Sequence, residues 1–209
     1  MEHFLTWFQE SKDRMDGVIR AGVAHLWFET LHPFEDGNGR VGRVIIDMAL
    51  AQDNGQSTRL IGISRRLAQV HDDYYRYLEQ AQKGDLDITG WLEWFIRQYH
   101  AACTESTAIL DRSLQKAQYW MRHSGTSLSK AQRKVVNGML DAGPESFDGG
   151  MSTKKYVSLA MVSTATASRD LGALLRAGLV VTTGQGKSTR YWINLTGWVP
   201  TKYTKSAPF

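Results

Sequence analysis

The chain has 209 residues, 42% of them apolar, which suits one large or two small domains with real cores and excludes a disordered polar chain. No run approaches the roughly 18 apolar residues of a spanning helix, and a single cysteine, Cys103, excludes an internal disulfide. Residues 1–123 carry 14 Lys/Arg and 17 Asp/Glu, whereas residues 124–209 carry 11 and 4, so a net charge of +4 is divided into −3 and +7. That division predicts two domains with different partners.

The opening MEHFLTWFQESKDR has no basic stretch ahead of an apolar core, so no secretory signal is read and a cytoplasmic setting is expected. Residues 1–10 form a short helix with Phe4, Trp7 and Phe8 on one side. A second helix over 16–31 has Ile19, Val23, Leu26, Trp27 and Thr30 at helical spacing, and Pro33 stops it near His32. Gly37 and Gly39 mark a loop, and a third helix runs from Asn38 or Gly39 to Asn54-Gly55. Ser64 is a cap for one helix covering 65–82, which ends near Gly84. Thr89 starts a long helix to about Met121, with Ile96, Tyr99, Cys103, Leu110, Leu114 and Met121 as its buried stripe. The polar RHSGTSLS, 122–129, is a hinge. Helical patterns follow at KAQRKVVNGMLDA, STKKYVSLA and TATASRDLGALLRAG, then two strands, LVVTT and TRYWINL, around GQGKS. The expected fold is mostly α: an all-helical core over 1–123, a small α+β domain of winged-helix layout over 124–200, and a frayed tail over 201–209.

The stretch HPFEDGNGRVGR, His32 to Arg43, concentrates the chemistry. A glycine loop entering a helix points free backbone N–H groups at an anion, and the helix dipole adds to the attraction. Arg40 and Arg43 share a face near the first turn, where cations are unfavourable unless a polyanion is bound. Two guanidinium forks beside such a cradle imply more than one phosphate group. Asp36 is placed to hold Mg²⁺ together with phosphate oxygens. His32 can take a proton from an attacking hydroxyl. Asn38 can donate amide N–H to a phosphoryl oxygen, and Phe34 turns inward as an anchor. DGNG alone is ordinary turn chemistry, and a lone histidine is more often structural; the combination is what a simple turn does not require. The pattern matches neither the Gly-Lys-Ser/Thr phosphate loop nor the calcium loop.

At every defined position HPFEDGNGRVGR resembles the Fic family signature, His-x-Phe-x-Asp/Glu-Gly-Asn-Gly-Arg-x-x-Arg. AHLWFETLHPF and ISRRLAQVHDDYYRYLEQAQKGDLDITGWLEWFI are similar to the helices around that motif, over roughly residues 1–120. The resemblance implies an all-helical Fic core and a nucleotidyltransferase that moves AMP from ATP to a Tyr, Thr or Ser hydroxyl of a target protein. It implies His32 as the base, Asp36 as the Mg²⁺ ligand, and Gly37, Asn38, Gly39, Arg40 and Arg43 as the ATP-phosphate site. In the Doc branch, which phosphorylates, a Lys replaces the glycine at the position of Gly39, so Gly39 favours AMP transfer.

TWFQES, Thr6 to Ser11, gives the Thr-x-x-x-Glu of the family's inhibitory helix but ends in Ser where that helix has Gly or Asn, and Trp7 and Phe8 mark a core helix instead. The resemblance also implies a β-hairpin flap for target docking. Only 31 residues precede His32, without a hairpin signal, so the chain reads as truncated at its N-terminus with the flap absent.

Within the basic half, Thr164, Thr166, Ala167 and Arg169 are expected to face DNA from a recognition helix. Lys154, Lys155, Lys187 and Arg190 would meet phosphates, with GQGKS as the wing and Leu171, Leu174 and Leu175 in the core. Winged helices also bind proteins or form homodimers, so those partners stay open beside DNA; no membrane is implicated. The alternative to a transferase is a DNA-binding regulator whose Fic core only senses nucleotide. Tyr74, Tyr75 and Tyr77 are read as packing residues.

Overall fold

The computed structural model describes residues 1–55, 61–146 and 149–199. They divide into two compact units, 1–109 and 110–209, with the boundary inside one long helix. Among the described residues no helix is long and apolar enough to cross a membrane. The described residues are mostly α-helical with one small antiparallel sheet, as expected. The predicted tail, 201–209, lies outside the described residues.

In the first unit the order is α1 (Glu2–Glu10), α2 (Gly17–Leu31), α3 (Asn38–Asn54), α4 (Ile63–Gln69), α5 (His71–Lys83) and the first part of α6 (Thr89–Arg122). The Asp16 carboxylate starts α2 by accepting from the backbone N–H groups of Val18 and Ile19 at 3.0 and 3.1 Å. α2 lies at the centre and buries Ala21, Ala24, Leu26 and Phe28, but also Arg20, His25 and Glu29. Of the apolar stripe read from sequence, only Leu26 is fully buried; Ile19, Val23 and Trp27 are half-buried and Thr30 is exposed. A helix enclosed on several sides has no single core face, so apolar spacing cannot identify one. Arg20 is bound inside by Ser11 Oγ, the Phe8 carbonyl and Gln52 Oε1 at 3.0, 2.5 and 2.7 Å, which ties α1 and α3 to α2. Phe4, Trp7, Phe8, Trp27 and Phe28 pack as an aromatic cluster, so α1 is a core helix.

Two expectations fail here. The single helix over 65–82 is two, broken at Val70 (φ −110°, ψ 35°), and Ser64 lies inside α4 rather than capping it, because Gly62 occupies the cap position. The buried face of α6 is rotated from the predicted stripe: Trp91, Trp94, Phe95 and Ala102 are in the core. Tyr99 and Cys103 are half-buried, while Ile96, Leu110, Leu114 and Met121 are exposed. The two apolar rows are neighbours, and the aromatic one has more surface to hide. Trp91 also donates its indole N–H to the Gly22 carbonyl at 2.9 Å, which fixes the rotation of α6 on α2.

The second unit contains the end of α6, α7 (Lys130–Ser146), α8 (Thr153–Ala160), α9 (Thr164–Arg176), β1 (Val180–Thr183) and β2 (Arg190–Ile193). α7 is kinked at Gly143, φ 80°, ahead of Pro144. Its start is a reciprocal cap, Gln132 N–H to Ser129 Oγ at 3.1 Å and Ser129 N–H to Gln132 Oε1 at 2.9 Å. Met161 at φ 58° ends α8, and Ser163 caps α9 through the Thr166 N–H at 3.1 Å. β1 and β2 pair antiparallel from Val180↔Ile193 to Thr183↔Arg190, and Met151 adds a bridge to Tyr191. Residues 184–189 form the connection, with a 3₁₀ turn at Gly186–Ser188.

Ala167, Leu171 and Leu174 are buried on one face of α9 together with Asp170, whereas Leu175 is exposed. Ala167 is therefore a core residue rather than a DNA-facing one, and Leu175 is not core; the 3.6-residue repeat turns position 175 past the face set by 167, 171 and 174. The Asp170 carboxylate accepts from Tyr156 OH at 2.9 Å and from Gln132 Nε2 at 3.4 Å, joining α7, α8 and α9. Tyr156→Phe removes one of these donors and is expected to cost about 1–2 kcal/mol in urea denaturation.

Candidate nucleotide site

α2 ends on His32, whose backbone N–H still donates to the Phe28 carbonyl at 3.0 Å but whose φ of 44° is left-handed. Histidine tolerates that region better than most non-glycine residues, and Pro33 prevents any helical continuation. The chain therefore turns sharply at His32 and leaves the residue exposed.

The loop that follows is held by Asn38. Its Oδ1 accepts from the Phe34 N–H at 3.0 Å and its Nδ2 donates to the Phe34 carbonyl at 2.5 Å. Only 3% of Asn38 is exposed. The side chain expected to reach a phosphoryl oxygen thus serves the loop backbone. Phe34, expected to be an inward anchor, is half-exposed, with its ring 6.2 Å from that of Phe28. Anchoring by its backbone leaves the ring free to lie at the surface.

Gly37 occupies the cap position of α3 at φ 89°, where a Cβ is strained, and no side chain caps the helix. The N–H groups of Arg40 and Val41 turn back to the Gly37 carbonyl at 3.0 Å each. The first turn therefore offers backbone amides that no side chain claims. Both guanidiniums fold back over this turn. An added Cβ on Gly37 would stand 3.3 Å from Arg40 Nη2, and one on Gly39 would stand 3.4 Å from Arg43 Nη1. Arg40 also pairs with Asp36 at 3.0 Å, both side chains largely exposed. The structure thus gathers Asp36, Gly37, Asn38, Gly39, Arg40 and Arg43 on one turn that begins where His32 ends α2.

Beneath this turn lies a layer that the sequence reading did not select. His25 and Glu29 precede His32 at i, i+4 and i+7, one stripe of titratable residues on an otherwise apolar helix, and that spacing was the signal. The His25 Nε2 is 2.9 Å from Tyr74 OH and its ring also faces the Gly42 backbone, while among the described residues the Glu29 Oε1 has no hydrogen-bond partner. Burial, opposed by the Gly42 backbone and aided by the Arg43 charge, lowers the His25 pKa to about 4. Burial raises that of Glu29, opposed by the charges of His32 and Arg43. Burial also raises that of the Tyr74 phenol. Tyr74 is in the core, whereas Tyr75 is exposed and Tyr77 stacks on Trp94 at 5.3 Å. Gly42, undefined in the motif, closes the layer: a Cβ there would stand 2.3 Å from Glu29 Oε1 and 2.9 Å from the His25 ring. Gly42→Ala is expected to cost about 1–3 kcal/mol, read as a lower melting temperature, because the ring cannot retreat.

In the second unit, Thr164 and Arg169 are exposed on α9 and Thr166 is half-buried, its hydroxyl 3.0 Å from Ser163 Oγ. Lys187 is on the 3₁₀ turn and Arg190 begins β2, where its Nη1 donates to the Lys187 and Thr189 carbonyls at 3.2 and 2.8 Å. Lys155 donates to the Gly150 carbonyl at 3.1 Å. Lys154, Lys187 and Arg190 line one cleft; Thr164, Thr166 and Arg169 do not line it.

Residues 1–50 match the model of the Fic/DOC family. A probable protein adenylyltransferase of Aquifex aeolicus is 34% identical over 84 residues, 40% of this chain and 23% of that protein. The protein adenylyltransferase Fic of Nematostella vectensis is 37% identical over 108 residues, 51% of this chain and 22% of that protein. Its namesake in Aedes aegypti is 32% identical over 111 residues, 53% of this chain and 20% of that protein. The chain spans about a fifth of the length of these relatives. The segment matched by the family model runs from α1 through the histidine turn into α3, so the N-terminal unit is similar to the Fic/DOC family where the motif lies.

Proposed function

We propose that the N-terminal unit transfers AMP from ATP to a Tyr, Thr or Ser hydroxyl of a target protein. The complete motif, folded as a histidine turn leading into an uncapped helix under two guanidiniums, is the observation that carries this reading. The names of the relatives support the same reaction.

On this reading the α3 amides and the Arg40 and Arg43 guanidiniums hold the triphosphate. The target hydroxyl oxygen attacks the α-phosphorus as His32 takes its proton. A phosphodiester to the target forms, the bond between the α-phosphorus and the oxygen leading to the β-phosphate breaks, and pyrophosphate leaves with the electron pair. Asn38 contributes by fixing the loop, so the amides are aimed before ATP arrives. The exposed Asp36 carboxylate fits Mg²⁺, which takes one or two carboxylates and fills its shell with phosphate oxygens and water. Bound there, the ion would neutralise phosphate charge, and Arg40 would exchange Asp36 for a phosphate. We further infer a catalytic core over 1–123 and a winged-helix domain over 124–200, for which the order α7, α8, α9, β1, β2 is the support.

The test is incubation of the chain with lysate, Mg²⁺ and ATP carrying label on either the α- or the γ-phosphate. AMP transfer puts the α-label on protein and leaves the γ-label in pyrophosphate. Label from the γ-position on protein, or none from either, rejects the reading.

A further inference from the structure

A second site, independent of the first, lies in the C-terminal unit. A cleft of about 420 Å³ opens between the start of α8 and the β1–β2 connection. We propose that this cleft binds a phosphate group, either in the backbone of a nucleic acid or free in solution. Three cations line it: Lys154 from α8, Lys187 from the 3₁₀ turn and Arg190 from β2. Hydroxyls of Thr153, Thr189 and Tyr191 lie among them, and no carboxylate does.

Among the described residues no carboxylate pairs with the Arg190 guanidinium. Its Nη1 is occupied by two neutral carbonyls, those of Lys187 and Thr189, which fix the side chain and leave the charge in place. Two acids of this unit are engaged elsewhere: Asp141 pairs with Lys116, and Asp170 is buried under Tyr156 and Gln132. A cleft with this many donors exceeds the two oxygens of a carboxylate. A phosphate, with three or four oxygens able to accept from cation and hydroxyl together, matches it better. The cations also come from three separate elements, so the fold, rather than one run of basic residues, assembles the site. The excess of 11 Lys/Arg over 4 Asp/Glu in residues 124–209 would draw a polyanion toward it.

The experiment uses the whole chain and a fluorescein-labelled DNA duplex of about 20 base pairs, with anisotropy followed from about 50 to about 200 mM KCl. Binding is expected to weaken with salt, and Lys154→Ala and Lys187→Ala are each expected to lower the logarithmic salt slope by about 1. Lys12→Ala, an exposed control in the first unit, should leave the slope unchanged. In parallel, inorganic phosphate is added during thermal melting. Stabilisation of wild type that is lost in Lys187→Ala, without duplex binding, supports the cleft with free phosphate as its source. The proposal is overturned if the cleft variants bind duplex with the wild-type slope. It is equally overturned if neither duplex nor phosphate is bound, or if poly-glutamate competes as well as duplex does.

Discussion

His32→Ala is expected to lower the rate of AMP transfer at least about 100-fold, since a positioned general base contributes about 10²–10⁴. Nucleotide affinity, measured by calorimetry, should stay within about twofold of wild type, because the groups proposed to hold the phosphates belong to α3 and His32 belongs to the end of α2. The separation follows from the turn itself: the left-handed His32 backbone is followed at once by Pro33, and the amides begin only after Gly37. A variant that lost affinity and rate together would place His32 among the ATP ligands instead of at the attacking hydroxyl. His32→Asn, which keeps a polar side chain that tolerates the left-handed backbone, guards against an effect of folding alone.

The second expectation concerns pH and stability. His25 titrates near 4 in the folded chain, below the ordinary histidine value of 6.5. Between those values the unfolded chain binds more protons, so this contribution is complete above about pH 6.5 and is lost as the pH falls toward 4. A shift of this size corresponds to roughly 3 kcal/mol. Glu29 acts in the opposite sense: its folded pKa is raised, so its contribution is complete below the ordinary carboxyl range and is lost as the pH rises through its folded value. The two slopes overlap, with Arg43 and Tyr74 facing the same layer. In a Glu29→Gln background the His25 slope stands alone. Urea denaturation at pH 4.5, 5.5 and 6.5, roughly the window of that transition, should then show stability rising with pH, and His25→Gln should flatten it. A slope that persists without His25 assigns the effect to another group.

What the sequence revealed and what it hid have physical causes. Pro33, Gly37 and Gly55 punctuate α2 and α3 because each imposes a backbone state, so the frame of the candidate site was legible from residue type alone. The break at Val70 was not, since no glycine or proline marks it and only tertiary packing separates α4 from α5. The rotation of α6 was hidden for a related reason: two apolar rows compete, and the contact of Trp91 with Gly22 that decides between them joins residues far apart in sequence. Asn38 was assigned to a ligand because amides suit phosphates, yet its geometry serves the turn. The chemistry of a residue was readable, whereas its first obligation depended on where the loop left its neighbours. His25 and Glu29 lie outside the motif and Gly42 occupies one of its undefined positions, so no defined motif position pointed to the layer they form.

The bond pair between Asn38 and Phe34 has one more consequence. A carboxamide can accept from an amide hydrogen and donate to a carbonyl at the same time, and a carboxylate of the same shape cannot. An aspartate at position 38 would satisfy the Phe34 N–H but set its second oxygen against the Phe34 carbonyl, two acceptors facing each other at a part-buried position. The two residues differ by one atom and by one charge, and at this position that difference separates a closed loop from one forced apart.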